Sequence, residues 1–526
     1  MKRTLLAAPI LATAIFLAGC EGDDGRNGQD GASGADGLNS LVATRTLPLG
    51  DASCPGGGLV FESGLDTNRN AVLDPAEVTS TEFLDCATAP RLRALHASPD
   101  APAVNVLVNG AVALSNVDYT DGSGFLPVTE RSRVQVEAIV PGGNAIVIDE
   151  TLDLDFSTDY TVIAVGDVAA PIAPLVIANP TGEPIASGSF RAQVVHAAPD
   201  APAVDVFVTA PGADLAASTP INAAPLAYQQ STDRIQAPAG DYQVRVTLGG
   251  NPATVVFDSG AIALPAAADL LVAAVENTGP GTTPIQLVVL DGTAAADLLD
   301  ANTPASVVAV HAAPDAPAVD LLADDKSTAA VEAIQLASNV SFTQSCSIAA
   351  VPAPGEYALS VTAAGAPSVV ALQFDLGVAQ ADEAMAIVTG FLGSTPAIQP
   401  LPLAVSGRSV VTEAKLRVTH GSPSTPAVDL YLVADGTDLN DAAVTPAFGA
   451  VPFGADTGIL TIAPGVYDVY VTPAGDKDTV AINVQNLTLT GGEVLDVIAR
   501  DPATNGSEGA LPQLIVIDHR SIAACT

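Results

Sequence analysis

Apolar and polar side chains alternate in short runs along most of this chain. Arg91-Leu92-Arg93-Ala94-Leu95, Val104-Asn105-Val106-Leu107-Val108 and Val204-Asp205-Val206-Phe207-Val208 follow a two-residue period. That period belongs to a strand with one face in a core and the other in water. Between the runs stand many turn formers, with 45 Gly and 40 Pro in 526 residues. Short strands punctuated in this way predict an all-β chain.

The runs recur as a set. A ten-residue phrase reads His-Ala-Ser-Pro-Asp-Ala-Pro-Ala-Val-Asn from His96 and His-Ala-Ala-Pro-Asp-Ala-Pro-Ala-Val-Asp from His196 and His311. From His420 it reads His-Gly-Ser-Pro-Ser-Thr-Pro-Ala-Val-Asp. Each copy is entered by an alternating strand and left through a Pro turn into a second one. A Gly-x-Tyr strand comes later, at Gly240-Asp241-Tyr242, Gly355-Glu356-Tyr357 and Gly465-Val466-Tyr467. The first copy offers Val134-Gln135-Val136-Glu137-Ala138 in its place. Two further strands, such as Tyr160-Thr161-Val162-Ile163-Ala164-Val165 and Leu175-Val176-Ile177, close each unit. Six or seven short strands in about 100 residues predict immunoglobulin-like antiparallel β-sandwiches in tandem. The boundaries fall at 90–188, 189–303, 304–412 and 413–526.

A His followed by acids four and nine residues later has metal-ligand chemistry. The copies argue against that use. The first acid is Asp100, Asp200 and Asp315 but Ser424, and the second is Asn105, then Asp205, Asp320 and Asp429. Ser and Asn keep the hydrogen bonds of a turn and lose the charge a metal needs. The phrase therefore predicts a His bonded locally, a first acid capping the Pro turn, and a second acid facing water on the next strand. The fifth His, His519, stands alone. No Gly-x-Ser-x-Gly, His-Glu-x-x-His or phosphate-loop pattern occurs.

The phrase, the Gly-x-Tyr strand and Tyr160-Thr161-Val162-Ile163-Ala164 together resemble the family catalogued as domain of unknown function 4397. The resemblance runs from about residue 91 to the end, four times over. It implies an exported or surface β-rich domain of bacteria, with no activity attached.

Residues 38–89 read as a small separate module. Asp66-Thr67-Asn68-Arg69-Asn70-Ala71-Val72-Leu73-Asp74-Pro75-Ala76-Glu77 fits a twelve-residue calcium loop. Asp66, Asn68, Asn70 and Asp74 would offer side-chain oxygens, Val72 its carbonyl and Glu77 a bidentate carboxylate. Two neutral Asn ligands predict low affinity, and Ala71 stands where such loops need Gly for a sharp turn. Cys54 and Cys86 flank the module and are expected to pair. Cys346 and Cys525 are left as either a second bridge or two buried thiols.

The first residues, MKRTLLAAPILATAIFLAGC, combine a basic start with an apolar stretch too short to span a bilayer comfortably. Leu17-Ala18-Gly19-Cys20 resembles a bacterial lipobox, which implies a leader at 1–19 and lipidation of Cys20. Glu21 after that Cys favours the outer membrane by analogy with known sorting. From Gly22 to Gly37 a Gly recurs at every third residue, a collagen-like spacing without Pro, read as a flexible tether over 20–37. Gly triplets, Gly37 to Val42, Cys54-Pro55-Gly56-Gly57, the Asp/Asn loop and a closing Cys resemble a module of bacterial surface lipoproteins.

Charge narrows the partners. Lys plus Arg is 19 against 58 Asp plus Glu, a formal net charge of −39. Such a surface repels nucleic acid. The expectation is a non-enzymatic, exported protein, lipid-anchored to the outer membrane or cell surface. It would serve adhesion, matrix contact or envelope structure by meeting a surface protein or polysaccharide. The alternative is a carbohydrate- or polymer-binding subunit. The absence of Trp and only 8 Tyr count against it, since sugar faces stack on aromatic rings.

Overall fold

The computed structural model describes residues 37–48, 51–54, 57–84, 86, 88–170, 172–327, 333–504 and 508–526. The leader, Cys20 and the Gly triplets before Gly37 lie outside the described residues. The chain divides between Cys86 and Ala87 into two compact units.

In the first unit Ser40–Leu47, Gly58–Leu65 and Val78–Leu84 form an antiparallel meander. Its core is small: Leu47, Val60 and Cys54, with Cys86 packed against them. Cys54 and Cys86 are disulfide-bonded, a common support where a domain is too small to bury much apolar surface. The Asp/Asn loop closes tightly onto the sheet. A Cβ on Gly64 would lie 1.8 Å from the Glu77 carbonyl oxygen, so only Gly fits there.

The second unit contains four sandwiches. In the first, Arg91–Ala97, Leu126–Pro127, Thr158–Val165 and Ala173–Pro180 make one sheet. Val104–Val108, Ala111–Val117, Arg131–Ala138 and Ala145–Asp153 make the other. The third and fourth copies repeat this four-on-four arrangement. The second copy shifts it to five on three. A 3₁₀ turn at Leu215–Ala217 comes where the others have an edge strand, and Ala295–Leu298 is added to the opposite sheet.

Among the described strands pairing is antiparallel except at one place per copy. The strand entering the phrase lies parallel to the penultimate strand: Arg91–Ala97 beside Thr158–Val165, Ser189–His196 beside Asp269–Glu276, Ala305–His311 beside Glu383–Thr389, and Ala414–His420 beside Val494–Arg500. These strands depart from the expected half-wet pattern. From Leu92 to Ala97, and from Phe190 to His196, every residue is buried.

The reason is that sandwiches pack in pairs through these sheets. Leu95, Ala97, Ile163, Val165 and Ile177 of the first meet Val195, Ala197, Leu271, Ala273, Val275, Val288 and Leu290 of the second. Val308, Val310, Ala312, Met385 and Ile387 of the third meet Ile498, Ile515 and Ile517 of the fourth. The pairs are also tied together. Arg408, between the third and fourth copies, donates to the carbonyls of Pro99 and Ala101 at 3.2 and 2.8 Å and forms an ion pair with Asp118. Finally, Cys525 is bonded to Cys346, and the tail at Ala523–Cys525 runs along the Ser345–Val351 edge strand. That tail covers backbone groups an edge would otherwise expose.

Candidate functional site

Three places carry chemistry: the Asp/Asn loop, the His phrase and a polar cleft between the first two sandwiches.

In the loop, Asp66 and Glu77 are buried at 2% and 6% exposure. Asp66 accepts from the Asn70 and Ala71 amides at 3.0 and 2.9 Å. Glu77 Oε1 accepts from the Thr67 amide, the Thr67 hydroxyl and the Asn68 amide at 2.7, 2.7 and 3.0 Å, and Oε2 from the Asp74 amide at 3.2 Å. The Thr67 hydroxyl, followed by these amides, holds the Glu77 carboxyl below the usual carboxylate range against the effect of burial. Asn68 and Asn70 both donate to Asp74 Oδ2, and the Val72 amide donates to Asn70 Oδ1. The six expected positions thus lie in one hydrogen-bonded turn. Ala71 adopts φ +61°, the conformation Gly would take at less cost. Among the described residues no three His, Cys, Asp or Glu side chains cluster as metal ligands.

The phrase is spent on structure. Each His Nε2 bonds the carbonyl of the Pro six residues on: His96 to Pro102 at 3.0 Å, His196 to Pro202 at 3.1 Å, His311 to Pro317 at 2.9 Å and His420 to Pro426 at 3.1 Å. In three copies Nδ1 accepts from the amide two residues on, at Ser98, Ala313 and Ser422, which places the proton on Nε2. Each ring meets an aromatic edge to face: Tyr119, Tyr228, Phe342 or Phe453. Burial holds His96, His196 and His311 below their usual pKa.

The first acid does not cap its own Pro turn as expected; in alternate copies it reaches a distant loop instead. Asp100 and Asp315 accept from the amides of Val168 and Leu392. In the second and fourth copies the direction reverses, with the Asp200 and Ser424 amides donating to Glu276 and Asp501. The second acid corrects an expectation. Asp205, Asp320 and Asp429 are buried at 7%, 8% and 6% exposure rather than facing water. Each accepts a hairpin Gly amide, from Gly250, Gly365 or Gly475, at 2.7 to 2.8 Å. The opposite oxygen bonds the Asn222 side chain or the Asn339 or Ala450 amide. Such a carboxylate joins separate turns where water does not reach.

Between the first two sandwiches the apolar interface gives way to a polar cleft of about 290 Å³. Its walls include Arg91, Arg93, Phe125, Thr161, Arg234 and Asp269. Most charges there are matched. Arg91 is bidentate to Asp159 at 2.7 and 2.6 Å, and Asp269 accepts from both Arg191 and Arg234. Burial would raise the Asp269 carboxyl, but these two cations bring it below its usual value. Arg93 is different. It is 4% exposed, its Nε donates to Thr161 Oγ1 at 2.8 Å, and its Nη1 is buried without a partner. The guanidinium lies 4.5 Å from the Phe125 ring centre, a cation–π contact. Phe125 is pinned from the other side, its amide donating to the Gly292 carbonyl at 3.1 Å.

Family models place the chain. Four consecutive matches to Domain of unknown function (DUF4397) cover residues 90–207, 208–322, 305–431 and 414–523. The chain belongs to the DUF4397 family. A second model, Domain of unknown function (DUF7151), matches residues 39–85, the module with the Asp/Asn loop. No curated protein matches the chain. Tandem DUF4397 domains suggest a surface or extracellular protein, and the DUF4397 name attaches no activity to it.

Two groups in the DUF4397 array escaped the sequence reading. His519 is one of them: its Nε2 lies 2.7 Å from Asp496 Oδ2, and Arg417 holds the same buried carboxylate at 2.5 and 2.9 Å. Arg93 is the other. Its Arg-x-Arg strand resembled any charged strand face, and only the second sandwich turns that face inward.

Proposed function

We propose that this DUF4397 protein is a non-enzymatic, lipid-anchored cell-surface protein serving adhesion, matrix contact or envelope structure. The observation that carries the reading is the pairing of sandwiches. Each pair shares an apolar interface, and a disulfide fastens the tail of the fourth sandwich to the third. A body built in this way keeps its shape outside the cell and presents several related sheet faces, which suits weak multivalent contact. The His phrase, the feature nearest to a catalytic pattern, is bonded inward in all four copies. Cys20 would carry the lipid, and the module at 38–89 would take calcium through Asp66, Asn68, Asn70, Val72, Asp74 and Glu77. To do so Asn68 and Asn70 must turn oxygens inward that now accept the Asn70 and Val72 amides.

The test is made on cells of the native host. Metabolic labelling with a palmitate analogue should mark the wild-type protein and spare Cys20→Ala. Loss of the protein should reduce attachment or retention of matrix, restored by the wild type but not by a secreted, unanchored form. Unaltered attachment and matrix with the protein removed would overturn the reading.

A further inference from the structure

We propose that the cleft between the first two sandwiches is a binding site for a small hydroxylated carboxylate of the sugar-acid class, held by Arg93. The inference goes beyond the surface role proposed above and does not depend on it.

Comparison of the four copies at one position carries the argument. Three residues before the phrase His stand Arg93, Gln193, Val308 and Arg417. Their neighbours across the parallel pairing are Thr161, Leu271, Met385 and Asp496. Where Arg recurs, in the fourth copy, its neighbour is a carboxylate, and the guanidinium is held by two charge-assisted bonds. In the third copy the position is apolar on both strands. Only in the first does a buried Arg face a neutral neighbour, with a single side-chain hydrogen bond. A buried cation without its counter-charge is costly. Burial accordingly pushes the Arg93 pKa down to about 10.

The nearby carboxylates are already engaged. Asp159 is held by Arg91, Asp269 by Arg191 and Arg234, and Asp291 by the Thr293 hydroxyl and the Thr293 and Ala294 amides. None of them bonds Arg93. The acceptor that the Arg93 guanidinium lacks is therefore one that a ligand oxygen would bring.

The walls select among anions. Three Asp side chains around the cleft repel a doubly charged phosphate more than a singly charged carboxylate. A carboxylate also matches the edge of a guanidinium. Phe125 and Leu270 give an apolar side to a carbon skeleton, while Thr161 and Asn179 bring a hydroxyl and an amide. The volume of about 290 Å³ approaches the lower end of small-molecule sites.

The experiment titrates the whole mature protein with glucuronate, glucose and inorganic phosphate, followed by calorimetry and by amide hydrogen exchange. Glucuronate should bind and slow exchange around residues 118–127 and 291–295, glucose should not, and phosphate should bind more weakly. Arg93→Gln places there the residue the second copy already carries, and should weaken glucuronate about tenfold or more. Thr161→Asp reproduces the pairing of the fourth copy, so it should abolish binding while raising thermal stability. That second variant keeps the test open even if Arg93→Gln folds poorly. Equal binding by wild type and Thr161→Asp would overturn the proposal, as would phosphate binding more tightly than glucuronate. Absence of both heat and protection with glucuronate would overturn it too.

Discussion

Cys346, on an edge strand of the third sandwich, is bonded to Cys525, 179 residues later and beyond the last strand of the fourth. The bridge closes a loop that encloses a complete sandwich. Removing it with Cys346→Ser should lower unfolding free energy by about 2–5 kcal/mol, because the unfolded chain regains the freedom of a long loop. Non-reducing peptide mapping should recover the Cys346–Cys525 and Cys54–Cys86 pairs. Denaturation under non-reducing conditions should place the variant well below wild type, and equal midpoints would show that the tail adds nothing.

Asp429 accepts the Ala450 and Gly475 amides from two different turns while only 6% exposed. In Asp429→Ala both amides lose their acceptor inside the protein. The expected cost is about 2–4 kcal/mol, read from urea unfolding. Asp429→Asn, which keeps one oxygen to accept an amide as Asn105 does from Asn116, should recover part of it.

The phrase places Ala97, Ala197 and Ala312 where paired sheets meet, each at 0% exposure. Gly421 takes that place in the fourth copy, and a Cβ there would come within 2.8 Å of Ile498. Ala312→Leu should cost about 1–3 kcal/mol through overpacking. Substituting the exposed Val370 instead should change little. Thermal unfolding of the two variants checks the contrast.

Burial holds His96, His196 and His311 below the ordinary 6.5 in the folded protein. A proton that the unfolded chain accepts near 6.5 is resisted by the folded one. Each His thus contributes stability that is full above 6.5 and is lost as pH falls from there through the folded value. Imidazole resonances followed by NMR should titrate below 6.5 for these three. An observed midpoint at or above that value would contradict rings held neutral by burial.

The Asp/Asn loop offers a test through its backbone. Ala71 stands at φ +61°, so Ala71→Gly should relieve about 1 kcal/mol of strain. If the loop takes calcium, calorimetric titration should show one weak site, tighter in Ala71→Gly and missing in Asp66→Ala and Glu77→Ala. Heats unchanged by all three substitutions would remove the loop from consideration.

Much of this architecture could be read from residue order. The phrase from His96, with its returns at His196, His311 and His420, set the number of sandwiches, and period-two runs such as Val204 to Val208 set their class. The loss of charge at Ser424 and Asn105 pointed to a structural phrase, and the His–Pro bonds bear that out. Two features were hidden. The burial of Asp205 could not be inferred from alternation, because its partners Asn222 and Gly250 are distant in sequence. The alternation of Arg91 and Arg93 implied a wet face, and that face is covered by another sandwich.

The sequence by itself determined the local rules: strand periodicity, turn chemistry and the recurrence of one domain, all fixed by neighbours within a few residues. Tertiary structure alone decided which faces are dry, because packing one sandwich on another depends on surfaces assembled from distant strands. It turned an ordinary strand charge, Arg93, into a buried cation beside a neutral Thr161. It also brought Cys346 to Cys525. Burial and counter-charge are properties of three-dimensional neighbourhoods, and no period along the chain encodes them.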